Sequence, residues 1–205
     1  MQNVELPELD YPTLMGSLSE YAQPRDRISR LLRSGSIIRV KKGLYVRNDS
    51  RDPYSREVLA NLLYGPSYIS FEYALSFHGL IPEAVFMVSS ATTGRHKRFS
   101  TPVGEFEYLH LPERFYAPGV EWRPVDSRRG CLIASAAKAL FDTLYLRIPR
   151  IENDDMEAHL FENLRLDEDE FDRIDFSAIE GALKDCSRPS IAAFRRYLRR
   201  RKRIG

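Results

Sequence analysis

The chain has 205 residues, of which 43% are hydrophobic and eleven each are Tyr and Phe. This composition can bury a sizeable core in one large or two small domains, and it excludes a disordered regulator. The formal net charge is only +2, so a strongly basic surface can arise only where cations cluster locally.

Cysteine usage and hydropathy favour an intracellular protein. Cys131 and Cys186 lie far apart and lack metal-ligand spacing, as expected of reduced thiols in a cytosolic protein. No apolar run reaches the ~18 residues that a membrane span needs. The first residues are acidic and contain proline, unlike a signal peptide. We therefore expect a soluble, cytoplasmic protein with no membrane partner.

Two short helices are predicted near the N-terminus. Leucines at helical spacing predict the first over Tyr11–Tyr21. Pro24 suits the first turn of a second helix over Arg25–Arg33, and Gly35 suits its left-handed cap. The core-facing residues of this second helix are Ile28, Leu31 and Leu32.

A basic hairpin is predicted directly after the second helix. Ser36–Val40 and Leu44–Val46 are the expected strands, with Lys41-Lys42-Gly43 as the turn. The stretch Gln23–Arg47 holds six Arg and two Lys against one acid, Asp26. Positive charge is therefore concentrated on the helix and hairpin.

A helix followed by a basic hairpin indicates the DNA-reading half of a winged helix-turn-helix. Such a unit sets cations against phosphates and directs a few side chains to base edges. We predict a winged helix-turn-helix DNA-binding domain at residues 1–48; the alternative for these cations is a solvated face without a ligand. The predicted DNA-binding residues are Arg25, Arg27, Arg30, Arg33, Arg39, Lys41 and Lys42.

The polar segment Asn48–Pro53 is the predicted boundary to a second, mixed α/β domain at residues 53–205, with C-terminal helices from about residue 155. The whole chain is thus predicted to be α+β. Further predicted helices are Arg56–Tyr64, Phe71–His78 capped by Ser70, Ser135–Arg147, Ala178–Asp185 after a capping box at Ser177–Glu180, and Pro189–Lys202. Predicted strands are Val85–Ala91 and Gly104–Leu111, with a basic hairpin or loop, Thr92–Pro102, between them.

Three segments together resemble one known family. They are RISRLLRSGSIIRVKKGLYV near the N-terminus, YISFEYALSFHGLIPEAVFMVSSATTGRHKRFSTPVGEFEYLHL from Tyr68, and ASAAKALFDTLYLR at residues 134–147. These segments resemble the AbiE-type antitoxins (the AbiEi family) of type IV abortive-infection toxin–antitoxin systems. The resemblance covers residues 11–147 and does not extend past Ile148.

The resemblance implies a bifunctional protein. The winged helix would bind inverted repeats in promoter DNA and repress its own operon. The second domain would counteract a nucleotidyltransferase toxin, directly or indirectly. The family usually has Pro-Glu-Lys-Ala-Leu where this chain has Ala136-Ala137-Lys138-Ala139-Leu140. The missing carboxylate removes about 0.5 kcal/mol of helix-dipole stabilisation and argues against carrying over any family role at this spot.

A second basic cluster lies between the two predicted strands of the second domain. Arg95, His96, Lys97 and Arg98 are the candidate residues for toxin antagonism. They would meet carboxylates of the toxin, or nucleic acid that the toxin holds. The alternative is a solvated run of charge without a ligand.

No motif supports an enzyme, a metal site or a cofactor. The four histidines lack HxxxH or HExxH spacing, and the chain has neither a Gly-rich phosphate loop nor a G-x-S-x-G elbow. His78, at a predicted helix end, is explained by the helix dipole. We predict no catalytic residue, no metal ligand and no cofactor.

Two opposite charge blocks occupy the C-terminal part. Ile151–Asp175 holds eleven acids, and Lys184–Arg203 holds nine Lys and Arg. They either neutralise each other across packed helices, or the basic helix extends a nucleic-acid footprint. The function also has two alternatives, a one-component transcriptional regulator whose second domain binds a small molecule and a protein-interaction adaptor.

Overall fold

A computed structural model describes residues 6–148, 150–151 and 155–205. The sequence-based expectations for residues 1–5, and for Glu152 and Asp154 of the acidic block, lie outside these described residues. The fold is α+β, as predicted, with two sheets.

The strands are β1 (Glu8–Asp10), β2 (Ile37–Lys41), β3 (Leu44–Arg47), β4 (Ser67–Ile69), β5 (Val88–Thr92), β6 (Lys97–Thr101), β7 (Gly104–His110), β8 (Val120–Pro124) and β9 (Gly130–Ala134). The helices are α1 (Tyr11–Ser17), α2 (Pro24–Arg33), α3 (Arg56–Leu63), α4 (Phe71–Phe77), α5 (Glu113–Tyr116), α6 (Ala136–Leu146), α7 (Met156–Ala158), α8 (Glu168–Asp172), α9 (Glu180–Asp185) and α10 (Pro189–Arg200). A π-helical turn (His159–Asn163) follows α7, and a 3₁₀ turn (Ser177–Ile179) precedes α9. No helix in the described part of the chain is long and apolar enough to cross a bilayer.

The N-terminal unit comprises β1, α1, α2 and the β2–β3 hairpin, with strand order β1–β3–β2. Its small core consists of Leu9, Leu14, Leu18, Ile28, Ile37 and Tyr45. Helix α2 is confirmed, and so is the left-handed cap at Gly35, where φ is 72°. The first helix ends at Ser17 rather than at the predicted Tyr21. Leu18 is the last residue of this segment that packs in the small core, and Pro24 disfavours helical backbone in the residue that precedes it.

The second sheet has the strand order β6–β7–β5–β4–β9–β8. Pairs β5–β7 and β4–β9 are parallel, and the other pairs are antiparallel. The Tyr108 hydroxyl donates to the Ala60 carbonyl of α3, whereas Glu107 accepts from Arg147 at the end of α6. Because successive strand residues point to opposite faces, α3 and the end of α6 lie on opposite faces of the sheet.

Three residues of the N-terminal hairpin belong to the larger core. Val40, Leu44 and Val46 pack in the same cluster as the second sheet and its helices. The hairpin therefore has one side in the small core and one side in the large core.

Several sequence predictions in the second domain are wrong in detail. The strand expected over Val85–Ala91 begins only at Val88. The segment predicted as a basic hairpin or loop contains an edge strand, β6, which pairs with β7 as in a hairpin. Ser70 precedes α4, but its hydroxyl makes no cap hydrogen bond and donates to Asp142 instead. The capping box at Ser177 does not form, because the Ser177 hydroxyl and N–H both bind Asp175.

Candidate nucleic-acid interface

Helix α2 presents its arginines on the side away from the small core. Ile28 is buried, whereas Arg25, Arg30 and Arg33 are exposed. Arg30 and Arg33 are three residues apart and share one face of the helix. Arg27 differs, because it is half-buried and its guanidinium lies 5.2 Å from the ring centre of Tyr21.

The hairpin after α2 adds two exposed cations. Arg39 faces solvent from the middle of β2, opposite Tyr45, and Lys42 lies at the exposed turn. We call Arg25, Arg30, Arg33, Arg39 and Lys42 the basic face. None of these five side chains forms an ion pair or hydrogen bond with any residue that the structure describes. Their charges are therefore available to an external anion.

Lys41 is placed differently from its neighbour Lys42. Its ammonium donates to the carbonyl of Leu63, at the end of α3. Partial burial, and next the charge of Lys97, lower the pKa of Lys41. Lys41 thus contacts the second domain.

The second basic cluster is divided by the alternation of an edge strand. Lys97 on β6 is opposite Tyr108, and its ammonium lies 4.8 Å from the ring centre of Tyr64. Arg98 points to the other face, with Nε 3.7 Å from a carboxylate oxygen of Glu105.

The other two members of that cluster, Arg95 and His96, precede β6. The Arg95 N–H donates to the Tyr64 hydroxyl, at 3.1 Å. His96 Nε2 lies 3.7 Å from Glu107. Lys97 therefore lies on the side of the sheet that faces α3 and Lys41, while His96 and Arg98 have acidic neighbours. Arg95 contacts Tyr64 through its backbone N–H.

Helix α6 contains a buried charge pair that was not predicted from the sequence. The side chains of Lys138 and Asp142 are fully buried, with Nζ 2.8 Å from Oδ1, at ion-pair distance but without the alignment of a hydrogen bond. Asp142 Oδ2 accepts from the Tyr68 hydroxyl at 2.8 Å and from the Ser70 hydroxyl at 2.7 Å. Lys138 also donates to the Phe115 carbonyl. This network is sealed from solvent and ties β4 to α6.

Burial and the polar partners of Asp142 shift the pKa of its carboxyl group in opposite directions. Burial raises the pKa of its carboxyl group, and the ammonium of Lys138 and the hydroxyls of Ser70 and Tyr68 lower it. Burial dominates, and the pKa is raised. The one sequence signal for this pair was a Lys and an Asp four residues apart in an otherwise apolar helix.

A second missed cluster joins the N-terminal unit to the second domain. Arg129, between β8 and β9, donates from Nη1 to both oxygens of Glu8 on β1, at 2.6 and 2.7 Å. Its Nε donates to Asp126 at 2.7 Å and its Nη2 donates to the Pro53 carbonyl at 2.7 Å. Hydrogen bonds from Arg129 and Arg128 lower the pKa of Asp126.

The basic terminal helix is largely engaged within the protein. Arg201 Nη2 lies 3.5 Å from Glu157 Oε1, and its Nη1 lies 3.3 Å from Asp172 Oδ1. Arg203 donates to the Ile174 carbonyl at 2.7 Å. Arg195 donates to the Lys184 carbonyl at 3.0 Å. These contacts favour neutralisation across packed helices over an extended nucleic-acid footprint.

His78 and the remaining acids do not assemble a metal site. His78 Nε2 lies 2.7 Å from the Ala134 carbonyl, so this side chain binds β9 from the end of α4. No group of three or more His, Cys, Asp or Glu residues with metal-binding geometry occurs within the described ranges.

Comparison with known proteins gives no assignment. No protein-family model matches the chain, and no curated protein is similar to it.

Proposed function

We propose that this chain binds double-stranded promoter DNA through a winged helix-turn-helix formed by its N-terminal unit, and that it represses its own operon as the antitoxin of a type IV toxin–antitoxin system. The observation that carries the DNA-binding half is the basic face, whose five cations lack acidic partners among the described residues. Charge left unpaired on a helix and the following hairpin suits phosphate binding.

The strand order supports the winged-helix interpretation. Helix α2 leads directly into the β2–β3 hairpin, and β1 completes the sheet on the far side of β3. In this proposal α2 enters the major groove, where Arg30 and Arg33 reach base edges or phosphates. In the same proposal, the β2–β3 hairpin lies against the sugar-phosphate backbone of the DNA beside the groove, where it contributes Arg39 and Lys42.

The test is binding of the protein to its own upstream DNA, with random duplex as the reference. Arg30→Ala should weaken promoter binding more than random-duplex binding, by about 10-fold if a base contact of roughly 1–3 kcal/mol is lost. An equal loss on both DNAs would make Arg30 a phosphate contact. Failure of the wild-type protein to bind the promoter at low salt would refute the proposal.

Lys42 and Lys41 provide a matched pair of variants. Lys42→Ala should reduce the salt dependence of DNA binding by about one counterion. Lys41→Ala should change it less, because the Lys41 ammonium is bound to Leu63. A larger effect at Lys41 would place the DNA against α3 instead of the hairpin turn.

The antitoxin half rests on the resemblance to AbiE-type antitoxins. The toxin it would counteract is a nucleotidyltransferase, and Arg95, His96, Lys97 and Arg98 stay the candidate residues. Because Lys97 and Arg98 point to opposite faces of the sheet, Lys97→Glu and Arg98→Glu test the two faces separately in a growth assay with a co-expressed toxin. Full protection by both variants, and by Arg95→Glu combined with Arg98→Glu, would exclude the cluster.

A further inference from the structure

Among the residues that the structure describes, strand β8 pairs only with β9 and forms one open edge of the second sheet. At the end of this hairpin the Val125 N–H donates to the Arg129 carbonyl, at 2.9 Å. Since hydrogen-bonded positions alternate along an antiparallel pair, the backbone groups of Glu121 and Arg123 face β9. The N–H and C=O of Trp122 therefore point outward, away from the sheet.

This edge carries two exposed apolar side chains side by side. Trp122 is 62% exposed and lies directly opposite Leu132, which is 40% exposed. The indole is held against Gly130, where an added Cβ would stand 2.5 Å from a ring carbon. Proteins usually protect an open strand edge from apolar exposure of this kind.

The charges beside Trp122 are arranged symmetrically about it. Glu121 and Arg123 lie on the face of β8 opposite to Trp122, with Arg123 Nη2 2.8 Å from Glu121 Oε2. We propose that a second copy of this chain pairs with β8 in an antiparallel manner, about a two-fold axis that passes beside Trp122. In this register the Trp122 N–H of each copy donates to the Trp122 carbonyl of the other, and Glu121 faces Arg123 of the second copy.

The strand sequence selects this register over its neighbours. A two-fold axis at Glu121 would set the Glu121 carboxylates of the two copies opposite each other, which is destabilising. An axis at Arg123 would require an N–H from Pro124, which has none. Of these three axes, only the one at Trp122 gives outward backbone donors and opposite charges together.

The dimer does not depend on DNA binding, although a two-fold assembly would match an inverted repeat. Its test is sedimentation equilibrium of the full chain without DNA. Arg123→Glu should weaken dimerisation by about 10-fold or more, because like charges then face each other twice. The charge exchange Glu121→Arg with Arg123→Glu should restore it. Arg98→Glu, on the opposite sheet edge, is the control and should leave it unchanged.

Trp122 is the single tryptophan of the chain, so its fluorescence reports directly on this edge. As concentration rises, its emission should move to shorter wavelength and acrylamide should quench it less, in wild-type protein and in the charge exchange but not in Arg123→Glu. A wild-type protein that stays monomeric at millimolar concentration would overturn the proposal. So would a dimer that Arg123→Glu leaves intact, or one that the charge exchange fails to restore while the fold melts normally.

Discussion

Arg129 and Glu8 form a nearly solvent-free ion pair that joins the β8–β9 turn to the first strand. The Arg129 side chain is 7% exposed and the Glu8 side chain is 1% exposed, with 2.6 Å between Nη1 and Oε1. The Ser55 N–H donates to the same carboxylate at 2.6 Å. The pair therefore helps to fix the N-terminal unit against the second domain.

Arg129→Ala should lower the free energy of unfolding by about 3–5 kcal/mol, because it leaves the Glu8 carboxylate buried without its cation. Arg128→Ala is the matched control. Its partner Asp52 is at the partly exposed rim, so the expected cost is about 0–1 kcal/mol. Urea unfolding of both variants measures the difference. Equal costs would show that Arg129 contributes no more than a surface pair.

Removing one member of the Lys138–Asp142 pair should cost more stability than replacing both members. Lys138→Met or Asp142→Asn alone should lower the free energy of unfolding by about 3–5 kcal/mol, since each leaves one buried charge uncompensated. The double variant should be more stable than either single variant, because it leaves no unpaired buried charge, and the amide oxygen introduced by Asp142→Asn can still accept from Tyr68 and Ser70. Urea unfolding of the three variants measures this, and losses that simply add would argue against coupling of the two side chains.

The same pair predicts a pH dependence with a definite sign. Removing Lys138 removes a group that lowers the pKa of Asp142, while burial continues to raise it. A carboxyl group with a higher pKa in the folded state binds more protons when folded. Its stabilising effect is complete below an unfolded pKa of about 4 and is lost as pH rises through the folded pKa.

Urea unfolding midpoints, taken at a series of pH values from about 4 upward, measure this loss of stability. The stability of Lys138→Met, relative to Lys138→Met with Asp142→Asn, should fall as pH rises from about 4. A relative stability that rises over this range would contradict a raised pKa for Asp142.

Arg201→Ala should destabilise the C-terminal helices by about 1 kcal/mol. The Arg201 side chain is 28% exposed, lies near Glu157 and Asp172, and packs 5.5 Å from the ring centre of Phe161. Its exposed acidic partners keep the expected effect small. Arg200→Ala is the control and should change the melting temperature less, because Arg200 is exposed and lies 6.0 Å from the Tyr197 ring centre.

Local sequence signals predicted helix α2 and the hairpin of the N-terminal unit well, whereas they extended the first helix to Tyr21, beyond its end at Ser17. Helix α2 was evident because its apolar stripe has helical period and its ends carry Pro24 and Gly35. Helix α6 was evident for the same reason, with Ser135 as a true cap that accepts from the Lys138 N–H. The exposed arginines of α2 could be predicted because helical periodicity assigns the outward positions of a helix whose ends are known.

Features that depend on distant pairing escaped the sequence analysis. Strand β9 is recognised only through its parallel pairing with β4, more than sixty residues earlier, and β8 through its pairing with β9. Ser70 resembled a helix cap because Asp142, its actual partner, is brought near only by the folded sheet. The opposite orientations of Lys97 and Arg98 were likewise not predicted, because the sequence indicated a hairpin or a loop there without assigning strand positions.

The position of Val40, Leu44 and Val46 in the larger core limits how the protein can be dissected. A fragment that stops at residue 48 would leave these three side chains in water, and would also lose the cation that neutralises Glu8. Transplanting the first 48 residues onto another protein would thus transfer an incomplete fold. Any engineered DNA-reading fragment of this chain needs the second sheet as its foundation.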